Sequence, residues 1–235
     1  MKKHFVLGTL IASILLAGCG GGGGGGSNGG GTTPVSTQFR ALTPTNYAYN
    51  LTGTLTTTAN GTQTLTASSQ RTIVVTAEAT ANQFKIDGTD ALVVQEGSPS
   101  TALNLDAYVT QQSDHSLLLR ALDVGDGVQT ASAATHLFLP GTFTTNTTSP
   151  TQTISFADGS TATYTFKVDG QQSVTVPLGT FTAYIVTSSL TFSPTNKRVG
   201  TYYYVPELGT YVKSVETVTR PDGVASITSE LRSVT

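Results

Sequence analysis

From residue 45 onward, apolar and polar positions alternate. Tyr47, Tyr49, Leu51 and Leu55 are spaced by polar residues up to Asn60-Gly61. Alternation of period two places one set of side chains on one face of a strand, and Asn-Gly supplies the positive φ of a tight hairpin. Ile73, Val75 and Ala77 repeat the pattern within 71–79. Strands are further predicted over 84–86, 91–95, 107–112 and 117–122. Asp158-Gly159 joins 153–156 to 162–168, Asp169-Gly170 leads into 173–176, and 181–192, 198–205 and 211–219 follow. Pro221-Asp222-Gly223 then turns the chain into 225–234. These turn residues punctuate ten or more short strands. No window sustains a 3.6-residue period, and residues 131–137 are the best place for a short helix. The pattern predicts an all-β, antiparallel domain over 37–235, built as a curved half-barrel, a barrel or a sandwich. No fixed repeat points to a propeller or solenoid.

Composition supports strands. Thr accounts for 44 of the 235 residues, and Thr, Val and Tyr suit a pleated, half-buried surface. The net charge of −2 and the 11% charged residues provide no basic footprint, so no nucleic-acid partner is expected. One Cys excludes a disulfide framework within the chain and a Cys-based zinc site.

The first residues give an address. Lys2 and Lys3 precede an apolar run over 5–16, which is too short to span a bilayer as a helix and fits a secretory signal peptide. The run ends in Leu16-Ala17-Gly18-Cys19, which resembles the lipobox of bacterial lipoproteins. That resemblance implies a signal peptide over 1–18 and a mature chain that starts at an acylated Cys19. Each buried CH₂ contributes roughly 0.8 kcal/mol, so two or three chains hold a protein on a membrane. Gly20 follows Cys19. Enterobacterial lipoproteins retained at the inner membrane carry Asp there, so the resemblance favours the outer membrane, on either its periplasmic or its cell-surface face. Residues 19–36 then read as a tether: ten of the twelve residues from 20 to 31 are Gly. A chain without side chains to bury cannot offset its own entropy.

A second resemblance lies near the C-terminus. Val174-Thr-Val-Pro-Leu-Gly-Thr-Phe-Thr-Ala-Tyr-Ile-Val186, with Gly200-Thr-Tyr-Tyr-Tyr-Val-Pro-Glu-Leu-Gly-Thr-Tyr-Val-Lys213, is similar to a segment of secreted bacterial β-sheet lipoproteins of unknown function. It departs from their pattern at Tyr204 and Thr210. Such domains look like the half-barrels of lipoprotein-localisation factors, which enclose an apolar cavity.

Candidate chemistry is sparse. Asp114-His115-Ser116 holds three triad residue types, but triad members converge from separate elements, and adjacent residues on a strand face opposite ways. Asp123 and Asp126 lie in a Gly-rich turn that lacks most ligands of a calcium loop. The expectation is therefore no catalytic residue, no metal, no cofactor and no enzyme. Tyr184, Tyr202, Tyr203, Tyr204 and Tyr211 are the residues best suited to line a ligand site, since a phenol offers an apolar ring and a polar tip. Two functions stand side by side: a lipid-anchored carrier for an apolar small molecule, or a structural or surface-interaction lipoprotein that contacts an envelope protein.

Overall fold

The structure, a computed structural model, describes residues 36–97, 101–125 and 127–235. Cys19, the signal peptide and the Gly-rich tether lie outside the described residues, as does Asp126. The first half of the domain contributes β1 (Thr45–Thr57), β2 (Gly61–Thr64), β3 (Gln70–Ala77), β4 (Gln83–Leu92), β5 (Thr101–Gln111), β6 (Leu117–Asp123), β7 (Val128–Thr130) and β8 (His136–Leu139). The second half contributes β9 (Thr147–Thr148), β10 (Gln152–Ser155), β11 (Thr161–Val176), β12 (Gly179–Ser193), β13 (Asn196–Val205), β14 (Thr210–Arg220) and β15 (Gly223–Val234).

All fifteen strands belong to one antiparallel sheet, with the path β10-β11-β12-β13-β14-β15-β1-β3-β4-β5-β6-β7. The last strand, β15, closes back on the first, β1, in a long ladder from Tyr47↔Val234 to Thr57↔Gly223. The sheet is not closed into a barrel. Its two ends meet through one isolated bridge, Ala131↔Phe156. Two bonds flank it, Ser132 N–H to Ser155 O (2.8 Å) and Ala157 N–H to Thr130 O (2.9 Å).

The sheet curls strongly. Arg198 on β13 and Asp90 on β4 stand five strand spacings apart along the path, which is roughly 24 Å on a flat sheet. Their side chains meet at 3.2 Å. The concave face therefore holds the core, and alternation decides which residues reach it: on β11 Ala162, Tyr164, Phe166 and Val168 are buried while their neighbours are not.

The strands differ from the sequence pattern in two places. Asp169-Gly170 forms a β-bulge inside β11, because the long pairing with β12 continues on both sides of it. The separate strands predicted over 84–86 and 91–95 merge into one strand, β4, which runs through Gly88 and ends at Leu92, so residues 93–95 lie outside it. The helix expected over 131–137 does not form: Ala131 is a β-bridge, a turn follows, and β8 starts at His136. Sheet pairing with β6 and the edge near Phe156 satisfies these backbone groups instead. Among the described residues the only helical element is a 3₁₀ turn over Pro206–Leu208, which ends at Gly209 with φ 68°.

Residues 36–43 cross one end of the curled sheet as a strap. Phe39 N–H bonds Gly141 O, Arg40 N–H bonds Pro206 O, and Phe143 N–H bonds Thr37 O. Phe39 and Leu42 on this strap are buried in the core.

Candidate functional site

The concave interior is divided by a polar layer. On β15, Ala225 and Ile227 belong to one apolar cluster, Ser229 follows, and Leu231 belongs to the other. On β14, Val218 and Val212 sit in the two clusters, with Ser214 and Glu216 between them. On β4, Asp90 precedes Leu92 of the smaller cluster. Charged and hydroxyl side chains therefore occupy the inward phase of strands that are otherwise apolar.

Arg71 lies at the centre of this layer. It is 2% exposed, and it directly opposes Asp90 in the β3–β4 ladder. Its Nε donates to Asp90 Oδ1 at 2.5 Å and its Nη2 to Asp90 Oδ2 at 2.8 Å, a bidentate pairing. Its Nη1 donates to Glu216 Oε1 and, at 2.7 Å, to the Tyr211 hydroxyl. Arg198 completes the quartet: Nε donates to Glu216 Oε2 at 2.5 Å and Nη2 to Asp90 Oδ2 at 3.2 Å. Glu216 also accepts from the Ser214 hydroxyl at 2.6 Å and the Tyr202 hydroxyl at 3.0 Å. Two guanidiniums thus face two carboxylates, and both oxygens of each carboxylate are occupied.

Burial pushes the Glu216 carboxyl up, but the charges of Arg198 and Arg71 and their hydrogen bonds outweigh it and hold Glu216 far below the usual carboxylate range. Burial lowers Arg71, and the carboxylates of Asp90 and Glu216 more than reverse that. Burial also raises the phenols of Tyr49, Tyr202 and Tyr204 well above their ordinary value, and brings Tyr211 up to about 12.

A cavity of about 140 Å³ lies beside the quartet. One side is aliphatic, with Ile73, Val75, Ile86, Leu105 and Ala107, and Phe39 and Leu42 of the strap also line it. Two small residues, Gly88 and Ser188, border it in inward positions, and a Cβ at Gly88 would lie 2.9 Å from the Leu105 carbonyl oxygen. Gly88 occupies an inward position of β4 between Ile86 and Asp90. Ser188 on β12 pairs with Gly200 on β13, in the inward row that holds Val186, Leu190, Arg198 and Tyr202. Gly200 also pairs with Glu216, and a Cβ there would lie 2.8 Å from the Glu216 Cβ, so only Gly lets the two strands pair with Glu216 in place.

Of the five tyrosines predicted as ligand-lining, Tyr202, Tyr204 and Tyr211 line this cavity. Their rings touch, Tyr202–Tyr211 at 5.2 Å and Tyr204–Tyr211 at 5.8 Å between centroids. Tyr184 is buried against Phe143 and does not line it, and Tyr203 takes the other face of β13. Arg71, Asp90, Arg198 and Glu216 were not singled out in the sequence. Their signal was present in the pattern: Arg71 is in phase with Ile73 and Val75, and Arg198 with Tyr202 and Tyr204.

Elsewhere the polar motifs act locally. Asp114 Oδ1 accepts from both the N–H and the hydroxyl of Ser116 (2.9 and 2.7 Å), while the His115 ring meets Phe39 O at 2.5 Å, so no relay links the three. Asp123 Oδ1 accepts from the N–H groups of Gly125 and Gly127. No group of three or more His, Cys, Asp or Glu among the described residues is placed to hold a metal ion.

No protein-family model matches the chain, and no curated protein matches it. Two solved structures are similar in outline. One is a candidate exported protein with a YmcC-like fold from Bacteroides fragilis, 13% identical at a TM-score of 0.40, covering 85% of this chain and 99% of its own. The other is a candidate lipoprotein from Parabacteroides distasonis, 13% identical at a TM-score of 0.41, covering 86% of this chain and 100% of its own. A likeness of that degree transfers neither ligand nor activity.

Proposed function

We propose that the chain is an outer-membrane lipoprotein, anchored through Cys19, whose β-domain carries a small apolar molecule in its interior. The observation that supports this most is the cavity itself. Protein interiors pack as densely as organic crystals, so a cavity of this size beside Ser188 forgoes packing contacts that a bound molecule would restore. Its aliphatic wall and few polar groups are the make-up of a small-molecule site. The chemistry is binding, not catalysis: the charged groups nearest the cavity are spent on one another.

A native mass spectrum of the protein purified from its host tests the reading. The expected result is an added small-molecule mass that disappears on denaturation and is missing from Ser188→Phe, whose ring fills the space. A spectrum with no such mass, or one unchanged in Ser188→Phe, overturns the carrier reading. Anchoring is tested separately by labelled palmitate, which Cys19→Ser should no longer incorporate; equal labelling of both proteins overturns it.

A further inference from the structure

The polar groups around the cavity also specify the kind of molecule that fits, given the carrier reading above. The quartet of Arg71, Arg198, Asp90 and Glu216 sums to zero charge. A ligand carboxylate would add an uncompensated charge in a desolvated space, and burying an unpaired ion is far more costly than burying a neutral group. A ligand ammonium would find the Asp90 and Glu216 oxygens already taken by Arg71, Arg198, Ser214 and Tyr202. Neither sign of ligand charge is accommodated.

The cavity's tyrosines narrow the choice. Tyr47 donates to Leu208 O at 2.8 Å, Tyr164 to Phe138 O at 2.9 Å, and Tyr202 to Glu216. Tyr211 receives a hydrogen bond from Arg71. Tyr204 lines the same cavity, and its hydroxyl bonds no group among the described residues. The Arg198 Nη1 is likewise without a partner there, and Arg198 also lines the cavity. Both groups offer N–H or O–H. Burial keeps the Tyr204 phenol protonated through the neutral range, so it remains a donor. An acceptor oxygen on a bound molecule would satisfy these donors.

We propose that the cavity takes a small uncharged molecule, an aromatic ring or short acyl chain bearing one acceptor oxygen such as an ester or ketone carbonyl, and that the Tyr204 hydroxyl donates to that oxygen. The hydrocarbon part lies against Ile73, Val75, Ile86 and Leu105. The size is consistent: an apolar cavity of about 150 Å³ accepts benzene, and this one is about 140 Å³.

The test uses four probes of similar size, namely ethylbenzene, methyl benzoate, benzoate and benzylamine. They are titrated at neutral pH into the protein purified from its host and freed of bound molecules, with saturation-transfer NMR as the readout. Methyl benzoate should bind about tenfold or more tightly than benzoate or benzylamine. Tyr204→Phe, which keeps the ring and removes only the hydroxyl, should bring methyl benzoate down to the level of ethylbenzene and leave ethylbenzene unchanged. Benzoate or benzylamine binding as well as the ester, or Tyr204→Phe leaving the ester unaffected, overturns the acceptor inference while ethylbenzene binding still upholds the carrier. If neither ethylbenzene nor methyl benzoate binds, the carrier reading falls and the inference with it.

Discussion

Arg71 and Asp90 stand directly opposite one another on neighbouring strands, joined by two parallel hydrogen bonds and almost sealed from solvent. The pair sits at the boundary between two apolar clusters, so removing one partner leaves the other's charge short of its bidentate partner in a largely apolar setting.

Replacing Arg71 by Met leaves Asp90 and Glu216 with Arg198 as their only cation. Breaking a buried pair in this way costs about 3–5 kcal/mol. Urea denaturation should show a loss of that size for Arg71→Met and for Asp90→Leu alone, with the double variant losing much less than the sum. Additive losses would mean that the two side chains do not interact in solution.

Glu216 sets the response to acid. Its folded carboxyl titrates well below the ordinary value of about 4.3, so the unfolded chain binds the proton first. That contribution is complete above the ordinary carboxylate range and is lost progressively as pH falls through and below it. Thermal melts between pH 7 and 3 should drop steeply below about pH 5. Glu216→Gln should start lower and show a shallower slope; an identical slope would assign the acid sensitivity to other groups.

Alkali acts through the phenols. Burial raises Tyr47, Tyr49, Tyr164, Tyr202, Tyr204 and Tyr211, so each contributes stability that is present below the ordinary tyrosine pKa of about 10 and lost as pH rises above it. Ultraviolet titration should show these six tyrosines ionising only when the protein unfolds, in a step with hysteresis on return. A smooth reversible titration of all nine tyrosines near pH 10 would contradict their burial.

The aromatic strand should discriminate by face. Tyr202→Ala removes ring contacts with Tyr204 and Tyr211 and a donor to Glu216, so it should cost about 3–5 kcal/mol. Tyr203→Ala, on the opposite face, should cost about 1 kcal/mol, near the mean of single substitutions. Equal losses in thermal melts would argue against Tyr202 and Tyr203 facing opposite ways on β13.

Gly53 tests the β1–β15 closure. It has φ 139°, and an added Cβ would lie 1.9 Å from the Ser226 carbonyl oxygen. Gly53→Ala should therefore destabilise by more than about 2 kcal/mol, since both the backbone conformation and the strand approach must change. A neutral Gly53→Ala would mean the two strands sit farther apart there.

Strand identity and facing were legible in the residues themselves. The alternation of Tyr184, Val186, Leu190 and Phe192, and the turn chemistry of Pro206 to Gly209, specify consecutive antiparallel strands, and β12, β13 and β14 pair in that order. Period-two burial is a local property, so one strand's sequence suffices to show it. Which strands lie across the interior from each other is not local. Arg71 and Glu216 are 145 residues apart, and Arg198 reaches Asp90 across 108. Only the curl of the whole sheet brings these four charges together and leaves the space over Gly88 and Ser188. Likewise Asp169-Gly170, a turn by its own chemistry, became a bulge once the pairing of β11 with β12 outweighed the local preference. The sequence alone determined most of the strands and the phase of their inward residues; tertiary structure alone decided the quartet and the cavity, because both depend on distances between segments remote in the chain.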